Sequence, residues 1–274
     1  MNRTSRFYIV LFLMLLLWHH GTSAENGYNL WLRYVKIADP ALIDNYKDKN
    51  RHIVFPAVSD RLKAAKAELE LGLKGMLALE LNETDKAVNG TLIVGTPTSS
   101  KVIAELPFVS EINNLDNEGY IIRSCTVNGK GITVIAARED IGILYGIYHY
   151  LRLMQTNLSL NKLDIKEEPK LQYRVLDHWD NLDGTIERGY AGYTLWDWAR
   201  LPRYKDPRYI DYARTNASIG INGAVLNNVN ANAKSLNTEW LVKASGLADV
   251  FRPYGIRIYL TAPVSYTHLR AHET

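Results

Sequence analysis

Between residues 173 and 262 the chain alternates strand-like and helix-like segments: 173–177 extended, 206–218 helical, 224–229 extended, 239–253 mostly helical, 256–262 extended. Strands separated by helices at this spacing form a parallel sheet, because a parallel neighbour can be reached only through a long crossover. Polar clusters follow the first two strands directly, as His178-Trp179-Asp180-Asn181 and Asn227-Asn228-Val229-Asn230. In a parallel β/α array such positions fall at the C-terminal ends of the strands, where sites are built. A closed barrel of this type needs eight strands, so residues 171–262 read as the opening of one.

The rhythm before residue 160 is different. Residues 29–37 alternate apolar and polar side chains, as a strand does, and 60–79 repeat Leu and Ala at helical spacing behind a cap at Ser59 or Asp60. Residues 90–95 form a short β-rich run ending at the turn Thr96-Pro97, and 99–106 suit a short helix. Residues 119–126 and 131–136 flank Asn128-Gly129, a hairpin signal. An amphipathic helix over 140–155 closes the unit, with Ile143, Tyr145, Ile147, Tyr148, Leu151 and Met154 on its inner side. Residues 27–160 therefore read as one α/β domain with a mixed sheet, joined by a polar connector at 161–170. The run from Gly95 to Lys101 lacks the second glycine of a phosphate loop.

Both ends of the chain are set apart. Arg3 and Arg6, the apolar run 7–18 and the small residues Thr22-Ser23-Ala24 make a secretory signal over 1–24, too short to span a membrane. Export to a periplasm or the medium is the expectation, with no membrane attachment after cleavage. Residues 263–274 show neither hydrophobic period nor caps and read as a foreign tail. Without Arg3 and Arg6 the formal charge drops from +3 to +1, which offers no surface for nucleic acid. Cys125 is the only cysteine, so no intramolecular disulfide forms, and it is expected as a small core residue. Setting aside His19, His20, His268 and His272 leaves His52, His149 and His178, too few and too dispersed for a metal site. The glycosylation acceptors Asn82, Asn89, Asn157 and Asn216 matter only in a glycosylating host.

The densest chemistry lies in residues 176–198, LDHWDNLDGTIERGYAGYTLWDW, where 23 residues carry five acids, five large aromatics and three glycines. Buried charges must be paired, so an ordinary core segment does not have this make-up. Aromatic rings beside carboxylates and amides suit a sugar: the rings take the apolar faces of a pyranose, and the polar groups take its hydroxyls. The alternative is a long loop that folds its aromatics into the core. Asp180, Asn181 and Asn228 can bond sugar hydroxyls or brace loops against each other. Arg188 can pair with a substrate carboxylate or with Glu187 or Asp183. The acids from Asp180 to Glu187 have the wrong spacing for a calcium loop.

HWDNLDGTIERGYAG at 178–192 resembles the α-glucuronidases of glycoside hydrolase family 67. NGAVLNNVNA at 222–231, NLWLRY at 29–34 and GIYHYLR at 146–152 support the likeness, which runs from about residue 28 to 262. The resemblance implies a non-catalytic N-terminal mixed-sheet α/β domain, like the second domain of hexosaminidases, followed by a (β/α)8 barrel cut after its third unit. It implies an inverting, cofactor-free enzyme that removes glucuronic or 4-O-methylglucuronic acid from glucuronoxylan-derived oligosaccharides, and it allows a homodimer for the full-length protein. Trp179 resembles the pocket tryptophan that packs on the uronic acid, and Val229 the residue that shapes the recess for the 4-O-methyl group. With Asp180, Asn181, Arg188 and Asn228 they make the expected substrate-binding set. Inversion needs an acid and a base roughly 6.5–9.5 Å apart. The family draws these carboxylates from later strands, so no catalytic residue is expected before Ala262 and the chain alone is expected to be inactive.

Two other readings compete. A carbohydrate-binding module without a catalytic half would leave the third strand as a bare edge and the half-barrel with an exposed apolar face. A hexosaminidase-like glycosidase would share the front domain, but the HWDN segment speaks against it.

Overall fold

The computed structural model describes residues 25–262; the signal segment and the foreign-looking tail lie outside them. Residues 25–33 belong to a unit of their own, with a 3-10 helix at Leu30–Arg33. The strand expected over 29–37 does not form. Leu30 at φ 48° and Tyr34 at φ 45° turn left-handed and break the extended path that the alternation suggested.

From Tyr34 onward the chain packs as one unit. Helix α1 (Pro40–Lys49) begins at Asp39, whose carboxylate accepts from the Ala41 amide, with Pro40 in the first turn. Strand β1 (His52–Val54) follows, then α2 (Asp60–Leu77), capped by Ser59 accepting from the Leu62 amide. Next come β2 (Thr91–Gly95), the short helices α3 (Lys101–Ala104) and α4 (Val109–Asn113), and the hairpin β3 (Tyr120–Val127) and β4 (Lys130–Ala136). Helix α5 (Asp140–Gln155) and β5 (Asp164–Glu167) complete a five-stranded mixed sheet of order β1-β2-β4-β3-β5. Strand β5 lies inside the segment read as a connector. It pairs antiparallel with β3 as a mostly exposed edge strand, and its Asp, Lys and Glu are what an edge carries to resist further pairing. Helices α2 and α5 approach so closely that a Cβ on Gly72 would stand 2.5 Å from a Leu151 methyl. Cys125, in β3, is half-buried rather than in the core, and burial raises its thiol pKa.

The second half is a three-stranded, all-parallel sheet of order β6-β7-β8. Its strands are β6 (Val175–Asp177), β7 (Gly223–Val225) and β8 (Arg257–Tyr259), with α6 (Arg208–Ser218) and α7 (Thr238–Phe251) in the crossovers. Gly223 sits in the central strand because the Val175 and Tyr259 side chains close over it from both sides. Trp196 anchors the core of this half, meeting Tyr209, Tyr212 and Phe251 edge-on with centroids 5.1–5.7 Å apart.

Two carboxylates of the first half hold the second. Glu68 of α2, 3% exposed, accepts from Nε and Nη2 of Arg214 in α6 at 2.7 and 3.0 Å. Tyr34 and Tyr148 add their hydroxyls at 2.6 and 3.4 Å, so all bonds to the buried carboxylate are supplied. Burial alone would loosen the proton on Arg214, but hydrogen bonding and charge from Glu68 outweigh it and raise the guanidinium pKa. Burial, then the charge of Glu68, raises the Tyr34 pKa. Glu118 performs the same task at the N-terminal ends of the strands. It takes Arg174 Nη2 at 2.6 Å and Asn222 Nδ2 at 3.0 Å, just ahead of β6 and β7.

Replacing Glu68 by Gln removes the bidentate partner of half-buried Arg214 and leaves it only Asp211 of its own helix, at 3.1 Å, which costs about 2–3 kcal/mol. Denaturant unfolding checks this; a loss no greater than that of an exposed pair such as Lys63–Asp60 would show that the clamp carries no load.

Candidate carbohydrate-binding site

The segments leaving β6, β7 and β8 are stitched together along the C-terminal edge of the parallel sheet. The ladder runs one residue further, through His178 N to Val225 O and Leu226 N to Tyr259 O, both 3.0 Å. Beyond that, side-chain amides substitute for backbone. Asn227 donates to Thr261 O at 3.0 Å and accepts from the Thr261 amide at 2.8 Å. One backbone bond remains between the loops, from the Asn228 main-chain N–H to Asp180 O at 2.9 Å.

Residues 180–194 fold back on themselves. Asp183 Oδ1 accepts from the Thr185 amide and hydroxyl at 2.9 and 2.7 Å, an Asx turn that starts the reversal. Gly184, Gly189 and Gly192 take positive φ, and Glu187 joins them at 56°. A non-glycine residue held there costs about 1–3 kcal/mol and persists only where its surroundings fix it. The fixing groups are visible. Asn181 and Asn228 both donate to the Glu187 carbonyl, at 2.7 and 3.3 Å, and the Glu187 amide donates to Trp179 O at 2.7 Å.

The five aromatics of this stretch divide. Trp196 and Trp198 are core residues, whereas Trp179, Tyr190 and Tyr193 stand at the surface. Residues 176–198 are thus neither wholly pocket nor wholly core. Trp179 is 41% exposed beside buried Asp180. Val229 is half-buried at the end of β7. Asp180, Asn181 and Asn228 lie together, and the donors of both asparagines go to the loop itself. Arg188 is exposed and makes no ion pair among the described residues, so the expected pairing with Glu187 or Asp183 is absent. Glu187 instead accepts from the Tyr190 hydroxyl at 2.9 Å.

Burial raises the Asp180 carboxyl pKa, and the short hydrogen bond from the Thr194 hydroxyl and the charge of His178 offset part of that. Burial lowers the pKa of His178, which shares a 2.7 Å hydrogen bond with the Tyr212 hydroxyl and lies edge-on to Trp196. Thr194 and Tyr212 drew no notice in the sequence, since nothing in the spacing links them to Asp180 or His178. No group of three His, Cys, Asp or Glu residues among those described could hold a metal ion, and no described helix is long and apolar enough to cross a membrane.

A parallel β/α sheet bearing an aromatic, amide-braced loop at its C-terminal edge has the make-up of a carbohydrate-active protein. Comparison with known proteins gives the family. Residues 30–150 match the glycosyl hydrolase family 67 N-terminus and residues 153–272 its middle domain. A probable alpha-glucuronidase A of Aspergillus terreus is 33% identical over 246 residues, covering 88% of this chain and 28% of its own length. Its counterpart in Neosartorya fischeri is 34% identical over 241 residues, covering 86% of this chain and again 28% of its own. A solved structure of a family GH115 4-O-methyl-alpha-glucuronidase with specificity for decorated arabinogalactans shares the fold. Its TM-score is 0.52 at 17% identity, over 76% of this chain and 28% of that one. The chain belongs to glycoside hydrolase family 67. It spans little more than a quarter of the length of these curated relatives.

The raised pKa of Asp180 sets a pH dependence. Between the unfolded and the higher folded pKa the native state binds more protons, so this contribution is full at low pH and is lost as pH rises through the folded value. Asp180→Asn removes the titration. Thermal unfolding across the weakly acidic range should give a flatter profile for the variant; superimposable profiles would refute the assignment.

Proposed function

We propose that the protein to which this chain belongs is an inverting α-glucuronidase that releases glucuronic or 4-O-methylglucuronic acid from xylo-oligosaccharides. One observation carries the reading. The family match includes a prebuilt loop at the C-terminal edge of a parallel sheet, and that loop presents an exposed Trp179 and an exposed, unpaired Arg188. A tryptophan face suits the pyranose ring, and a free guanidinium suits its carboxylate through a bidentate fork. Val229, at the next strand end, shapes the recess for the methyl ether. Asp180, Asn181 and Asn228 hold these groups in place, with hydroxyl contacts as a second role.

The three-stranded sheet is, on this reading, the start of a (β/α)8 barrel. Both β6 and β8 are edge strands, and Val175 and Leu176 in β6 are each 37% exposed, a half-covered apolar surface that further strands would bury. The acid and base that perform inversion come from those further strands. The carboxylates of the loop support this. Asp180 is bound to Thr194, Asp183 to Thr185 and Glu187 to Tyr190, so each is committed to loop structure. The N-terminal segment supports export to a periplasm or the medium.

The test uses the full-length protein of which this chain is a part. It should release uronic acid from uronic-acid-bearing xylotriose with inverted anomeric configuration, read by proton NMR. Trp179→Ala should lower kcat/KM about tenfold or more, in line with the loss of one well-packed aromatic contact. Residues 25–262 alone should give no turnover. Retention of configuration, or turnover by the isolated chain, would overturn the reading.

A further inference from the structure

Trp179, the aromatic that the proposed function sets on the uronic acid, is flanked by two titratable residues, and each is tied to a side chain of another segment. Asp180 takes the hydroxyl of Thr194, a bond that closes the loop on itself. His178 Nε2 shares a 2.7 Å hydrogen bond with the Tyr212 hydroxyl of α6. That bond reaches out of the loop to a helix, so loop closure does not account for it. The register shows which way the side chains point. Leu176 pairs with Ala224, and Ala224 and Leu226 pack in one core with Trp196 and with Tyr209 of α6. Leu176 and His178 therefore share the helix-facing side of the strand end. The His178 amide still donates to Val225 O at 3.0 Å, so the ladder and its alternation hold at this residue. Trp179, next in line, is directed to the opposite side, away from α6.

Tyr212 is itself fixed. Its ring stacks on Phe251 of α7 with centroids 5.3 Å apart and stands edge-on to Trp196 at 5.1 Å; His178 meets Trp196 edge-on at 5.4 Å. An apolar side chain would fill the same space. A polar ring with one short bond to a fixed partner does more, because it selects one setting of the side chain and so of the strand end that carries it. Burial lowers the pKa of His178 against the opposing charges of Asp180 and Asp177, and burial raises that of Tyr212. Tyr212 is the titratable group that α6 turns toward the imidazole, and Trp196, on its other side, carries no charge. Near neutral pH both members of the pair are therefore uncharged, and the anchor is a neutral hydrogen bond.

We propose that His178 is a positioning residue: anchored on α6 by Tyr212, it fixes the strand end from which Trp179 faces the uronic acid. This rests on the α-glucuronidase reading, and the experiment separates the two. The full-length protein is titrated with glucuronic acid by calorimetry as the parent, Tyr212→Phe, Trp179→Ala and the double variant. Tyr212→Phe keeps the ring and its packing and removes only the hydroxyl. It should weaken binding about fivefold in the parent, the worth of one buried hydrogen bond, and cause no further loss once Trp179 is gone. His178→Leu should reproduce that loss, and His178→Gln, whose amide can meet the Tyr212 hydroxyl, should restore binding. Equal losses from Tyr212→Phe in both backgrounds, no loss in the parent, or a Gln variant that binds no better than the Leu variant would overturn the anchor. Parental affinity in Trp179→Ala overturns it as well, while the α-glucuronidase reading stands. No binding of glucuronic acid by the parent defeats that reading, and the anchor with it. Should Tyr212→Phe not fold, His178→Gln against His178→Leu, with and without Trp179, decides the matter.

Discussion

Glu68 is a carboxylate buried on a helix of one half of the molecule, and its counter-charge comes from a helix of the other. Taking such a group out of water is costly unless charge and hydrogen bonds are both supplied. Here Arg214 gives a bidentate pair, and Tyr34 and Tyr148 complete the shell. A buried pair of this kind adds little net stability over a hydrophobic contact. Its consequence is geometric: α6 has one position on α2 in which no charge is stranded. Since α6 is the crossover between β6 and β7, fixing it fixes the parallel sheet. The N-terminal α/β half therefore acts as the base against which the sheet is registered.

The two ends of that sheet are held by different chemistry. At the N-terminal ends, Glu118, Arg174 and Asn222 form a charged knot, and Asn222 also accepts from the Arg174 amide at 2.9 Å. At the C-terminal ends the amides of Asn181, Asn227 and Asn228 bond backbone carbonyls, and the buried Asp180 carboxylate takes the Thr194 hydroxyl. Asn181 and Asn228 also hold Glu187 in a left-handed conformation, and the Glu187 amide ties the loop back to the Trp179 carbonyl.

Much of this was legible in the sequence where a period or a cap exists to be read. The helix at Asp140–Gln155, the hairpin around Asn128-Gly129 and the strand–helix alternation after residue 173 all follow from apolar spacing and turn chemistry. The failures have physical causes. Strand β5 carries Asp164, Lys166 and Glu167 because one edge of it faces water, so it shows no apolar alternation. Residues 29–34 do alternate, yet the backbone reverses at Leu30 and Tyr34, and side-chain polarity does not encode φ. Within the loop the sequence supplied the right residue types but could not sort them. Trp179 and Trp196 look alike in one dimension; only the packing against Tyr209, Tyr212 and Phe251 takes one inside and leaves the other out. Family 67 membership itself was carried by the residues at 178–192, a segment with no period.

The acids of that segment show why composition alone misassigns chemistry. A carboxylate that transfers a proton must be able to change charge state without dismantling its surroundings. Asp180 meets half of this condition, since burial raises its pKa above the ordinary carboxylate value. It fails the other half: buried and bonded to Thr194, its side chain sits in the fold of the loop, and its own carbonyl ties the strand end to Asn228. Asp183, fully exposed, has its pKa lowered by the hydroxyl and amide of Thr185, the opposite of what a general acid needs. Glu187 is held by Tyr190 at a backbone position that only its neighbours stabilise. Asp180, Asp183 and Glu187 are each explained by the loop conformation they enforce.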